Sequence, residues 1–193
     1  TLAALVDKSF LRQETGGRYT MHELLRQFGA EQLAAFGSTA STAAAHAAYY
    51  ADLVAWCEPQ LKGSGQPDAL NIIEADFENI RAAWMQAVVG GDTDAINRMV
   101  DSLLWFSHWR SRFIEVRALL EAALSAFAPA AEATPHPVWG RVLARLSLST
   151  AEGLNQALDI ARQQGNDAEA AFCLSQRGIR YGRRREYARA IDD

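Results

Sequence analysis

The chain has 193 residues, enough for one domain or two small ones with a real core, and it is alanine-rich with few β-branched runs, which favours helix nearly throughout. A net charge of −4 does not make a nucleic-acid surface the default expectation, and no segment has the ~18 unbroken apolar residues that a membrane crossing needs. With no secretory signal and only two cysteines, Cys57 and Cys173, far apart and outside any CxxC pair, the chain reads as a cytoplasmic protein with reduced, buried thiols.

Leu2 to Val6 reads as the last turns of a helix. Phe10-Leu11-Arg12 and Arg18-Tyr19-Thr20-Met21 bracket the turn Glu14-Thr15-Gly16-Gly17, whose glycines can supply positive φ. Helix, small hairpin and helix form the back half of a winged helix. Thr20 and Glu23 have capping-box spacing, which would put His22 in the first helical turn, beside free amides and the positive dipole end. The helix that follows carries Leu24, Leu25, Phe28 and Leu33 on one apolar face and ends near Gly37.

His46 to Leu61 repeats at helical spacing, with Pro59 near its end, and Gly63 to Pro67 is a loop. From Asp68, Leu70, Ile73, Phe77, Ile80, Trp84 and Ala87 step by three and four, predicting one long helix closed by Gly90-Gly91-Asp92. Glu74, Asp76 and Glu78 fall off that seam as a solvated face. A helix to about Trp109, a break at Arg110-Ser111-Arg112 and a helix from Phe113 to Phe127 complete an antiparallel set.

Ala128 to Pro137, with three prolines, is a linker. Helices are expected over Val138 to Leu148 and Thr150 to Gln164, the second opened by a capping box of Ser149 and Glu152. In the final stretch Leu174, Gly178, Tyr181, Tyr187 and Ala190 match the first part of a tetratricopeptide repeat, where small residues let two helices approach closely. The chain therefore reads as an excised piece of a longer protein. The expected fold is all-α: a winged-helix remnant with a small β-hairpin (1–37), a connecting helix and loop (38–67), a helical linker bundle (68–127) and a truncated tetratricopeptide-like α-solenoid (128–193).

No phosphate-binding glycine loop, GxSxG, HExxH or Asp-rich metal loop is present, and His22, His46, His108 and His136 have no i,i+4 partner for a metal. An active site within these residues is not expected. Trp105, Phe106, Trp109 and Phe113 are either core packing at a helix–helix corner or a partner-binding groove. Arg177, Arg180, Arg183, Arg184, Arg185 and Arg189 form the basic cluster, read as the solvated turn of a repeat rather than a nucleic-acid contact.

Two stretches, Leu5-Val6-Asp7-Lys8-Ser9-Phe10-Leu11 and Arg18-Tyr19-Thr20-Met21-His22-Glu23-Leu24, resemble the end of the winged-helix domain of STAND signalling ATPases. That group includes bacterial LuxR-type and antibiotic-regulatory transcription factors and plant resistance proteins. Glu74 to Trp84, EADFENIRAAW, followed by Gly91-Asp92, resembles the helical segment that joins this domain to tetratricopeptide repeats in bacterial members. The resemblance implies a non-enzymatic regulatory and sensor module that couples nucleotide state to inducer or partner binding. It implies a Met-His-Asp triplet whose histidine, here His22, lies near the β-phosphate of ADP, with Glu23 standing where the family often has Asp. ATP or ADP would belong to an upstream nucleotide-binding domain of the same chain, and the fragment itself would hold no cofactor. Its other partner would be an unknown protein or small-molecule inducer, at a surface including Trp105, Trp109 and Phe113. The alternatives are a free-standing protein–protein scaffold and a DNA-contacting winged helix.

Overall fold

A computed structural model describes every residue except Thr15, Ala131, Glu132 and Ser149. The described residues form eleven helices and one two-stranded antiparallel sheet, so the fold is mostly α with a small β-hairpin. The chain divides into two compact units, Thr1–Ala45 and His46–Asp193.

The first unit holds α1 (Leu2–Asp7), β1 (Leu11–Gln13), β2 (Tyr19–Met21) and α2 (Glu23–Ala35). The strands pair Leu11 with Met21, Arg12 with Thr20 and Gln13 with Tyr19. Gly16 and Gly17 lie at φ +84° and +78°, the left-handed region the turn requires. Thr15 in that turn lies outside the described residues. Among the described residues of this unit Leu11 alone is buried; α2 has no buried residue, and Leu24, Phe28 and Phe36 are exposed.

The expected capping box does not form. Thr20 is a strand residue whose hydroxyl donates to Glu14 Oε1 (3.4 Å), while Glu23 is the first residue of α2 and binds Arg26 and Gln27. The helix is capped two residues later than the spacing implied, by His22 itself.

Helix α3 (Thr39–Leu61) belongs to the second unit from His46 onward, and keeps Pro59 inside its last turn. It is followed by α4 (Gln66–Ala75), α5 (Phe77–Gly90), α6 (Thr93–Arg110), α7 (Phe113–Ala126), α8 (Pro137–Leu146), α9 (Ala151–Gln163), α10 (Asp167–Arg183) and α11 (Tyr187–Asp192). The single long helix expected from Asp68 is two: the chain turns at Asp76 (φ −112°, ψ 14°). Asp76 Oδ1 there accepts from Asn79 and from the Tyr50 hydroxyl, holding the corner against α3. The apolar seam runs on across the break, and so hides it in the sequence. The Ser149–Glu152 capping box falls on a residue outside the described set; Thr150 stands at the N-cap of α9 without a side-chain cap bond.

From α4 to α11 successive helices pack on one another, and alternate helices meet as well, α5 on α7 and α6 on α8. The main core runs from Val54 and Cys57 through Ile73, Ile80, Trp84, Ile96, Met99 and Leu103 to Leu119 and Val142. Trp84 is fully buried and its indole donates to the Leu119 carbonyl (2.8 Å), so the large ring brings no unsatisfied polar atom into the core. Trp139 does the same toward the Leu124 carbonyl (2.9 Å) beside a second cluster of Leu143, Leu158, Ile160 and Cys173. Both cysteines are buried free thiols, and burial pushes each up to about 11. Between α8 and α9 the backbone of Gly140 comes so close to Ile160 that a Cβ would lie 2.9 Å from its Cγ2.

Candidate functional site

His22 joins the hairpin to α2. Its backbone is extended (φ −62°, ψ 142°), its carbonyl accepts from the amides of Leu25 (2.9 Å) and Arg26 (3.0 Å), and its Nδ1 accepts from the Leu24 amide (3.3 Å). The ring thus occupies one of the amides that the sequence offered to an anion. With Nδ1 accepting, a neutral imidazole carries its proton on Nε2, which remains a donor. The side chain is exposed. Next to it, hydrogen bonds from Arg26 and Gln27 hold the Glu23 carboxyl below its usual range.

His136 repeats the device at α8. Its backbone has the same form (φ −63°, ψ 143°), its Nδ1 accepts from the Val138 amide (3.2 Å), and Pro137 fills a first-turn position. The His-Pro pair after a run of extended residues was the readable sign of this cap. His136 borders a cleft of about 110 Å³ with Thr93, Asp94, Asn97, Arg141 and Asn166, where α6, α8 and α10 begin. Its one cation, Arg141, is committed to Asp101, Asn97 and Glu169, and Asp94 adds a negative charge. The three helix starts therefore do not make an anion site.

The aromatic run does not act as one group. Phe106 is fully buried and stacks on Phe77 (5.2 Å between centroids), and Trp105 is half-buried against the main core. Trp109 and Phe113 are 49% and 54% exposed at the α6–α7 turn, each edge-on to His108 (5.4 and 6.4 Å), with Ile114 exposed beside them. The break is an αL residue, Ser111 at φ +57°, which swings Phe113 out. Of the three residues expected at a partner surface, two are accessible and the third lies mostly inside.

The acidic face Glu74, Asp76 and Glu78 is only partly solvated. Glu74 pairs with Arg112 at the start of α7, Asp76 forms the α4–α5 corner, and Glu78 is well exposed and pairs with Arg81 on its own helix. The basic cluster also divides. Arg177 grips Asp193 and Asn155, and Arg189 pairs with Glu186. Arg183, Arg184 and Arg185 are exposed, and their side chains make no bond among the described residues.

One charged cluster had no local signal in the sequence. Arg145 of α8 is 3% exposed; its Nε meets Asp101 Oδ1 of α6 (2.7 Å), its Nη2 and Nη1 meet the Glu169 carboxylate of α10, and its guanidinium lies 3.9 Å from the centre of the Phe172 ring. Arg141 shares both carboxylates, its Nε 3.1 Å from Glu169 Oε1. Every charge faces an opposite one, so the cluster is a tie among three helices, although the buried Arg141 Nε makes no hydrogen bond.

Comparison with known proteins finds no matching family model, no similar curated protein and no similar solved structure.

Proposed function

We propose that the chain is a regulatory and sensor module of a STAND-type ATPase or transcriptional regulator, one that couples nucleotide state to the binding of an inducer or partner. The observation that carries this reading is His22. An exposed imidazole caps the helix that leaves a small hairpin, and its Nε2 proton is available to a phosphate oxygen. The exposed apolar side chains of α2, Leu24 and Phe28, support a first unit that completes its core against another domain. Catalysis would reside in that nucleotide-binding domain, and the present residues would read its state.

The test requires the chain joined to its nucleotide-binding domain. His22→Ala should speed ADP dissociation, whereas His22→Asn, which keeps the helix cap but not the Nε2 donor, should speed it as well. Wild-type dissociation in both variants refutes the sensor role. If only the alanine variant is faster, the histidine is a cap and nothing more.

A second reading, a protein–protein scaffold without a nucleotide link, is favoured by the exposed Trp109, Phe113 and Ile114 at one turn. Replacing Trp109 and Phe113 by serine should then abolish partner capture while the helical circular dichroism signal persists. Unchanged capture sinks it.

A further inference from the structure

The cleft of about 110 Å³ at the starts of α6, α8 and α10 does not rest on the helix ends themselves. Each helix caps its own first turn: the Ala95 amide donates to Asp92 Oδ1 (2.9 Å), Val138 to His136 Nδ1 (3.2 Å) and Glu169 to Asn166 Oδ1 (3.1 Å). What the cleft offers a ligand is therefore its side chains, and their remaining capacity follows from the bonds they already make. Asn166 Oδ1 accepts from the Glu169 amide and Asn97 Oδ1 from Arg141 Nη1, so each side-chain amide is oriented and keeps its NH2 as a donor. With Nδ1 accepting, a neutral His136 donates from Nε2. Among the described residues the Thr93 hydroxyl and the Asp94 carboxylate make no side-chain bond. The cleft thus carries donors whose direction is fixed, one anionic acceptor and one hydroxyl that serves either way.

Arg141 adds a further donor. Its terminal nitrogens go to Asn97 and Asp101, while its buried Nε makes no hydrogen bond. A second, water-sized pocket of about 10 Å³ adjoins the cleft, sharing Pro137, Arg141 and Asn166 with it and reaching Glu169. An oxygen seated there supplies Nε with its acceptor.

This set of groups selects its ligand by elimination. An anion meets Asp94 and no free cation, because Arg141 is already shared by Asp101 and Glu169. A cation meets one carboxylate but brings donors against fixed donors. An apolar group leaves every one of these polar groups unpaired. A hydroxyl donates once and accepts twice, so adjacent hydroxyls satisfy the carboxylate and the donors together. The volume is below the ~150 Å³ that encloses a benzene ring, and Asp94, Asn97 and His136 are exposed, so the cleft takes the edge of a ring or a short chain and leaves the rest outside.

We propose that this cleft binds a small neutral polyhydroxyl compound, a sugar or polyol, through adjacent hydroxyls, with Asp94 accepting from them and Asn97, Asn166 and His136 donating to them. The proposal stands apart from the nucleotide coupling above, and its test involves no nucleotide.

The whole 193-residue chain, labelled with nitrogen-15, is titrated in turn with glycerol, myo-inositol and D-glucose and followed by NMR. The side-chain amide signals of Asn97 and Asn166 report on the cleft directly. At least one of the three compounds should shift both signals saturably, with a Kd on the order of 1–10 mM, as befits few atoms held by hydrogen bonds in water. Sodium phosphate and the neutral amide N-acetylglycinamide, at equal concentration, should not. Asp94→Ala removes the anionic acceptor, and His136→Asn keeps the α8 cap while withdrawing the Nε2 donor. Each should weaken binding at least about fivefold, whereas the same substitution at the other histidine cap, His22→Asn, should leave it unchanged. Unchanged helical circular dichroism confirms that the variants keep the fold. No saturable shift with any of the three compounds overturns the proposal, as does equal binding of phosphate or of the amide. Full affinity in either cleft variant overturns it too, since the bound compound would then lie elsewhere.

Discussion

Replacing Arg145 by alanine should cost more stability than any other single charge deletion in this chain. The guanidinium is almost wholly buried, meets Asp101 and Glu169 at once and lies over Phe172. Its removal leaves two carboxylates, each 14% exposed, sharing Arg141 as their remaining cation. Breaking a buried ion pair from one side costs about 3–5 kcal/mol, and the retained Arg141 places the loss near the lower end, at about 3 kcal/mol. For a chain of this size each kcal/mol moves the melting temperature about 2–4 °C, so the variant should melt about 6–12 °C lower. Urea unfolding followed by circular dichroism measures the difference directly. Acid sets a second condition. Burial pushes the Asp101 carboxyl up, but the guanidinia, Arg145 foremost, outweigh it and hold the group below the usual carboxylate range. Its contribution is therefore complete above the unfolded value near pH ~4 and is lost as the pH falls through the folded value. The gap between wild type and Arg145→Ala should be constant near neutrality and narrow only at acid pH. A loss under about 1 kcal/mol, or a gap that widens on acidification, refutes the account of the cluster as a structural tie.

Phe106→Ala should cost about 3–5 kcal/mol in the same unfolding assay, whereas Trp109→Ala and Phe113→Ala should stay within about 0.5 kcal/mol; equal losses would put the exposed pair back in the core. Gly140→Ala forces a methyl against Ile160 and should cost about 1–3 kcal/mol, less in an Ile160→Ala background, and an additive double mutant would show that the two do not touch. Since Nδ1 of His22 accepts from the Leu24 amide, His22→Ala should speed hydrogen exchange at that amide, and Val138 should respond likewise to His136→Ala. Exchange at Leu24 that ignores the substitution would remove His22 as the cap.

Much of the helical layout is legible because its signals are local. The step of Ile96, Met99, Val100 and Leu103 specifies α6, and Gly91 with Asp92 specifies where one helix stops and the next starts. The Asp76 corner escapes that reading because no glycine or proline marks it and the apolar seam continues across it. The cap of α2 shifts by two residues because Thr20 is already committed to pairing with Arg12 in the sheet, which the capping-box spacing does not register. The Asp101–Arg145–Glu169 tie is illegible for a different reason. Arg145 lies 44 residues from Asp101 and 24 from Glu169, and on its own helix each reads as an ordinary charged residue. Likewise, spacing groups Trp105 with Trp109 but cannot show that a left-handed Ser111 separates Phe113 from Phe106.

The two units differ most in how they earn their order. In His46–Asp193 the buried side chains form two substantial clusters, with the Trp84 and Trp139 indoles hydrogen-bonded and the Arg145 guanidinium paired among them. In Thr1–Ala45 one residue is buried among those described, and α2 turns Leu24, Phe28 and Phe36 outward. Ordering a residue costs about 1.5 kcal/mol, and burial of a single leucine returns only about 1.5–3 kcal/mol. Intrinsic helix propensity, one histidine cap and an exposed Glu23–Arg26 pair add little to that. On the proposed reading the first unit draws its stability from a surface that covers α2, and its order should track the presence of that surface. A segment whose folding depends on what is docked against it is the kind of element a regulatory protein can switch, because a modest change in binding energy moves it between ordered and open states. On the same reading the histidine cap, rather than the well-packed helices, is the responsive part of the molecule.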